Sequence, residues 1–471
     1  LLFLALLISL VANLPSYPQQ RTQTTPAKPK PQKLSSHVIL VSIDGLSADY
    51  IVKPDAYKLR IPNLRALRSK GAYAVGAESV YPSLTYPAHT TIATGMLPAD
   101  HGITSNRVFD EQSGEQRRDW HWFAREIKTD TIWDAAKRAG LVTAAVGYPV
   151  TVGSAINFNL PEIFNVPGSE SSEPPIRRHA NPPELLDELS AALKVDASKL
   201  ASFTLDLPSF EMADRIRTDA AVYLIEKHRP NLLLLHLVSF DQAQHKHGPF
   251  SAEALAVLER VDELLKRMMD AAERAGIANE TAIFIVSDHG FMKVEREFHP
   301  NVVLAKKGLL TVGAQGKITS WRASAQTFGG SAAIIVKDPK DEQAVREAEE
   351  AFTEIFKQPD SPIWRIVSRR DISRLGADPR AAFYIEAAPM TIFSSGNSGA
   401  TISKSSERGA HGYLPQRSEM RASLMMAGRG IKPGVKLEYA RLTDVAPTIV
   451  RLLGLEMRAV RGRVMTEVIA Q

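Results

Sequence analysis

The chain has 471 residues, enough for one large domain carrying an insertion or for two or three ordinary ones. Its hydrophobic content of 44% and charged content of 23% are those of a globular fold, and a net charge of +5 without a long basic stripe gives no support to nucleic-acid binding. It contains no cysteine, which excludes disulfides, thiolate zinc sites and cysteine nucleophiles; any metal must be held by oxygen and imidazole nitrogen.

The chain opens with "LLFLALLISLVA" (1–12), about as long as the apolar region of a signal peptide and too short to span a bilayer. It reads as a clipped signal peptide, with a signal anchor as the alternative. Residues 13–36, rich in Pro, Gln, Thr and Lys, read as a flexible tether. Together they imply export to a periplasm or cell surface, with no transmembrane domain.

From residue 37 apolar runs alternate with amphipathic stretches. "HVILVSI" (37–43), "LVTAAVG" (141–147), "NLLLLHLVSF" (231–240) and "TAIFIVSD" (281–288) are continuous apolar runs, as in parallel strands covered on both faces. Helical patterns at 130–140, 211–228 and 252–276 lie between them. The order predicts a doubly wound α/β core. Residues 293–400 change character, with short strands, one helix and Gly/Ser-rich turns, and predict an inserted cap or side domain. The core is then 37–292 and 401–471, closing with the helical "LTDVAPTIVRLLG" (442–454).

Ligands of such sheets bind beyond the carboxyl ends of the strands. Asp44, Asp241 and Asp288 fall at that end of three strands. In "DQAQHKHGP" Asp241 and His245 are four residues apart, a spacing at which a carboxylate and an imidazole can share a zinc ion at roughly 2.0–2.2 Å. "SDHG" adds Asp288 and His289, and "GAHGY" adds His411 between two glycines. Each residue alone has an ordinary reading, the acids as helix caps and His411 as a loop histidine. Together they supply enough oxygen and nitrogen ligands for two metals. Thr85, in "SLTYPAH", reads either as a helix N-cap or as a nucleophile at a helix N-terminus.

The set "VSIDG", "YPSLTYPAHTTIATGMLPADHGITSN", "DQAQHKHGP", "VSDHGF" and "GAHGY" resembles the alkaline phosphatase superfamily, and within it the type I phosphodiesterase/nucleotide pyrophosphatase branch. The resemblance covers about residues 37–453. It implies a three-layer α/β sandwich with a mostly parallel central sheet. It also implies two zinc ions per chain, one on Asp241, His245 and His411, the other on Asp44, Asp288, His289 and the Thr85 oxygen. Thr85 is then the nucleophile, passing through a phosphothreonine, while Asn106 and the Tyr86 amide hold the phosphoryl oxygens. His89, His101, His247 and His299 are given no metal.

The expected substrate is a small phosphodiester or nucleotide. Tyr148 and the Tyr86 ring are candidates for its groove. Relatives of this kind carry an aromatic residue five positions before the first zinc aspartate, whereas this chain has His236, which predicts weaker base stacking. The alternatives are a phosphomonoesterase using the same site and a non-catalytic zinc-stabilised binding protein. Oligomeric state is not legible.

Overall fold

The computed structural model describes residues 32–165, 174–201 and 206–470. The apolar segment 1–12 and most of the 13–36 stretch lie outside the described residues. Where that stretch enters view it is not loose. The backbone amides of Leu34 and Ser35 donate to Leu452 O, and Ser36 N donates to Glu280 O. Ser35 is 2% exposed, so the chain is already packed before the first strand.

In chain order the elements that position the site are β1 (His37–Ile43), β2 (Ala72–Ala74), helix α1 (Thr85–Thr94), α2 (Ile132–Arg138), β3 (Thr143–Val146), β4 (Phe158–Leu160), α3 (Leu207–His228), β5 (Leu232–Leu237), α4 (Ser239–His247), α5 (Ala252–Arg274) and β6 (Thr281–Val286). Next come β7 (Ala323–Thr327), β8 (Ser331–Val336), α6 (Glu342–Phe356), β9 (Ile363–Val367), β10 (Ala381–Ala387), β11 (Leu424–Gly428), β12 (Val435–Leu437) and α7 (Val445–Leu453). The main sheet has the order β12-β2-β11-β6-β1-β5-β3-β4. The run from β6 to β4 is parallel throughout, and β11 enters antiparallel to β6.

Alternation along the buried strands divides the core. Ile39, Val41, Ile43, Leu233, Leu235 and Leu237 point into one apolar cluster with α3 and α5. Val38, Leu40, Leu232 and Leu234 point into the other, with α1, α2 and α7. The result is helices, sheet, helices: a three-layer α/β sandwich with a mostly parallel centre. Each leucine of β5 is under 2% exposed, and burial of one such side chain is worth roughly 1.5–3 kcal/mol. A charge at Leu235 would break this layer.

The helices are set by sequence signals. Ser251 Oγ accepts from Ala254 N at 3.2 Å to cap α5, whose buried positions Ala254, Val257, Leu258, Val261, Leu265 and Met268 repeat at helical spacing. α3 is four residues longer at its start than the periodic stretch 211–228, because Asp206 caps it and Pro208 fits its first turn.

A third cluster belongs to β7–β10, an antiparallel sheet of order β7-β8-β10-β9, covered by α6 through Ala344, Ala348, Ala351 and Phe352. This cluster runs on to Tyr413, Leu414 and Met420 and takes in Tyr81, Leu84 and Phe109. It is therefore packed against the segment that leads to Thr85.

Candidate metal centre

The parallel register brings the acids together. Ser42 pairs with both His236 and Val286, so β1, β5 and β6 end side by side. Asp44 follows β1 directly, Asp288 lies two residues beyond β6, and Asp241 lies in the first turn of α4 after β5. Asp288 is fully buried and Asp44 is 4% exposed.

Asp44, Asp288 and the three histidines each have one polar atom within hydrogen-bond distance of the protein and another turned toward neighbouring ligand candidates. Asp288 Oδ1 accepts from Gly45 N (3.1 Å) and His289 N (3.0 Å), whereas its Oδ2 makes no hydrogen bond. Asp44 Oδ2 faces His236 Nε2 at 3.1 Å, whereas its Oδ1 makes none. His289 Nδ1 faces Gly290 O at 3.2 Å; its Nε2, without a hydrogen bond, lies 3.3 Å from Asp44 Oδ1 and 3.1 Å from Asp288 Oδ2. His411 Nδ1 faces Ser83 O at 3.1 Å, with its Nε2 3.9 Å from Asp241 Oδ1. His245 Nδ1 faces Gly409 O (3.1 Å) and Glu407 Oε2 (3.2 Å), and its Nε2 lies 3.4 Å from Asp241 Oδ2. Orienting one imidazole nitrogen so that the other can ligate is the usual support of a metal-binding histidine.

Two donor groups result: Asp44, Asp288 and His289, and Asp241, His289 and His411, in each of which the ligand atoms lie within 4.8 Å of one another. His289 belongs to both in this geometry, its ring stacked on that of His411 at 3.7 Å. His245 reaches the second group through Asp241 rather than as a member of it.

Electrostatics point the same way. Burial, with Asp288 and Asp241 close by, pushes the Asp44 carboxyl well up. Burial, with His289 and His245 close by, pushes His411 well down. Burial alone would lower His245, but Asp241 and Glu407 outweigh it and raise it to about 9. Three crowded carboxyls beside imidazoles with open nitrogens are a donor set that suits a divalent cation. All the donors are oxygen and nitrogen, a set suited to zinc.

Thr85 is the first residue of α1. The capping position is Leu84, which makes no side-chain cap bond, so the threonine is not the cap. Among the described residues Thr85 Oγ1 makes no hydrogen bond. Its surroundings tie it to both donor groups. Thr85 O faces His89 Nδ1 at 2.7 Å, and that nitrogen is 3.8 Å from Asp288 Oδ2. Two residues earlier, Ser83 O accepts from Gly412 N at 3.0 Å and faces His411. Gly412 has φ +87, and a Cβ there would stand 1.8 Å from Phe328 O, so only glycine lets the His411 loop approach.

Four expectations are corrected. The Tyr86 amide donates to Asn106 Oδ1 at 2.9 Å and so holds the carboxamide, leaving the Asn106 amide nitrogen as the outward donor. Tyr148 is fully buried, its hydroxyl donating to His89 O at 3.1 Å, because it packs beneath α1 rather than on a groove. His236 is fully buried between Glu162 and Asp44 and presents no face for stacking. The Tyr86 ring is buried as well, with Trp120 5.0 Å away. Trp120, Trp122 and Phe164 are half-buried, each tryptophan packing edge-on against Phe164, and the Arg107 guanidinium lies 5.6 Å from the Trp120 ring. This aromatic cluster is not legible in the sequence, because Phe164 lies some forty residues from Trp120 and Trp122. His89 and His101 are buried and hydrogen-bonded within the fold, and neither they nor His247 and His299 join the donor groups.

The fold is of the alkaline-phosphatase-like class. Residues 38–414 match the model of the type I phosphodiesterase/nucleotide pyrophosphatase family, and the chain belongs to that family. Murine ectonucleotide pyrophosphatase/phosphodiesterase 5 superposes with a TM-score of 0.64 at 19% identity, over 92% of this chain and all of that one. The same murine protein in an inactive form in complex with AMP gives 0.65. An uncharacterized pyrophosphatase/phosphodiesterase of Schizosaccharomyces pombe is 29% identical over 259 residues, 54% of this chain and 44% of that protein. Venom phosphodiesterase 2 of Crotalus adamanteus is 27% identical over 266 residues, 55% of this chain and 27% of that one. The chain thus spans under half the length of these curated relatives.

Proposed function

We propose that the chain is a zinc-dependent phosphodiesterase or nucleotide pyrophosphatase working through a phosphothreonine on Thr85. The observation that supports this most is the one-sided satisfaction of the ligands: Asp44 Oδ1, Asp241 Oδ1, Asp288 Oδ2 and His289 Nε2 are buried and without hydrogen bonds. Asp241, His245 and His411 would hold one zinc ion, and Asp44, Asp288 and His289 the other. Bound there, the pair supplies Lewis-acid stabilisation of charge on the attacking and leaving oxygens and lowers the pKa of the threonine hydroxyl.

Thr85 Oγ attacks phosphorus in line; the P–O bond to the leaving group breaks as the P–Oγ bond forms. The Asn106 amide nitrogen donates to a non-bridging oxygen, its carboxamide held by the Tyr86 N–H, and so stabilises charge in the transition state. Water then attacks phosphorus, the P–Oγ bond breaks and Thr85 is restored. Two inversions give net retention. Trp120, Trp122 and Phe164 offer half-buried apolar ring surface for the second substituent of a diester. Export is the reading supported by the apolar residues 1–12 and by the ecto- and venom enzymes among the relatives.

Replacement of Thr85 by alanine should lower turnover by about a thousandfold or more, because the covalent route depends on its oxygen, while zinc content and fold stay unchanged. Near-wild-type turnover would overturn the nucleophile assignment. Bis-p-nitrophenyl phosphate should be cleaved with a kcat/KM at least about tenfold above that of p-nitrophenyl phosphate, a difference of roughly 1.4 kcal/mol. The dianionic monoester must approach three carboxylates, whereas the diester carries one charge fewer. Equal or faster cleavage of the monoester would move the chain to the monoesterases.

A further inference from the structure

Beneath Asp44 lies a line of charged groups that solvent does not reach. Arg217, midway along α3, is fully buried. Its Nε donates to Leu200 O (2.9 Å), one terminal nitrogen to His236 O (3.0 Å) and the other to Glu162 Oε2 (3.0 Å). Glu162 Oε2 faces His236 Nδ1 at 3.1 Å, and His236 Nε2 faces Asp44 Oδ2 at 3.1 Å. The backbone is shaped around this line: at Gly147, which ends β3 with φ +62, a Cβ would stand 2.6 Å from the Arg217 guanidinium carbon.

Such an array is costly to bury, and apolar side chains of similar volume would pack the space with less penalty. Stability alone does not account for it. Its far end does. Among the described residues, His236 is the one side chain outside the candidate ligands that lies within hydrogen-bond distance of the Asp44 carboxylate, which otherwise faces Asp288 and Asp241. That contact engages Oδ2 and leaves Oδ1 turned to the centre.

We propose that Arg217, Glu162 and His236 form a positioning relay that fixes the Asp44 carboxylate with Oδ1 toward the metal and so sets the affinity of the Asp44–Asp288–His289 group. None of the three touches substrate. Arg217 fixes Glu162, Glu162 fixes the His236 ring, and the ring fixes Asp44. Burial would raise the Glu162 carboxyl, but His236 and Arg217 outweigh it and hold it at about 2, so the middle of the relay stays ionised.

The proposal rests on the two-metal reading, and its test separates the two. Zinc is titrated into the full metal-free chain against a chromogenic chelator, for wild type and for His236→Phe, His236→Gln and Glu162→Gln, with circular dichroism to confirm folding. In His236→Phe, binding at one of two sites should weaken about 10–100-fold and the other should be unchanged. His236→Gln, whose side-chain amide can replace the Nε2 donor, should recover most of the loss. Glu162→Gln, which keeps shape and one acceptor oxygen, should lose severalfold and decides the matter if His236→Phe does not fold. Wild-type affinity in the folded variants, or an equal loss in Phe and Gln at 236, would overturn the relay. A wild-type chain that binds no zinc would overturn the two-metal reading, and the relay with it.

Discussion

His101 shows how a histidine inside a motif serves the fold rather than the metal. Its Nδ1 accepts from Ile103 N at 3.2 Å and its Nε2 faces Thr91 Oγ1 at 3.0 Å, so the ring is held neutral with its proton on Nε2. A second proton would break the Ile103 bond, and burial, against the pull of Asp100, pushes the imidazole down to about 3. A histidine lowered on folding contributes stability that is present above pH ~6.5 and lost as pH falls toward 3. Wild type should therefore lose more unfolding free energy between pH 7 and 4.5 than His101→Asn, whose side-chain oxygen keeps the Ile103 acceptor. Denaturant titrations with parallel pH dependence would contradict this. The contrast with His289 and His411 is not visible in the string "PADHG". It lies in which ring nitrogens find protein partners.

The elements carrying the ligands are fixed by a few buried contacts that local pattern does not announce. Asp214 Oδ1 and Oδ2, on α3, accept from Val238 N (2.9 and 3.1 Å), and Oδ2 accepts from Ser239 N (2.8 Å), pinning the turn from β5 into α4. That turn sets Asp241 and His245. Removing both acceptors in Asp214→Ala leaves buried amides unpaired, which should cost roughly 2–4 kcal/mol in urea unfolding, with Asp214→Asn losing less. Equal stability of Ala and wild type would show that water or the turn itself satisfies those amides. The strands and long helices were legible because apolar runs and helical periodicity report burial directly. β3 and β5 proved shorter than their apolar runs because those runs continue into the loops at each end. Glu162, Arg217 and Asp214 were not legible as partners, since their pairing joins segments tens of residues apart. Nor was the burial of His236 and Tyr148, because a polar ring in an apolar strand reads the same whether it faces a groove or another charge.

At the scale of the whole molecule, the fold converts three strand ends into one crowded group of carboxylates and imidazoles near the start of α1. A cation bound only by the folded chain raises its stability, by about 4 kcal/mol at a thousandfold excess over the dissociation constant. Chelator should thus lower the thermal midpoint of wild type and restore it on zinc addition. An unchanged midpoint would argue against a metal at these carboxylates. Asp44, Asp241, Asp288, His245, His289 and His411 stand out in spacing and resemblance; five of them form the two donor groups, and His245 lies 3.4 Å from Asp241 Oδ2 without joining either. Their division between two ions is the finer statement, since His289 stands in both donor groups. Zinc content of the purified, zinc-replete chain and of its Asp44→Asn and Asp241→Asn variants, by atomic emission, addresses it directly. The account expects two zinc ions per wild-type chain and about one in each variant. A wild-type value near one or below, or variants that keep both ions, would contradict it.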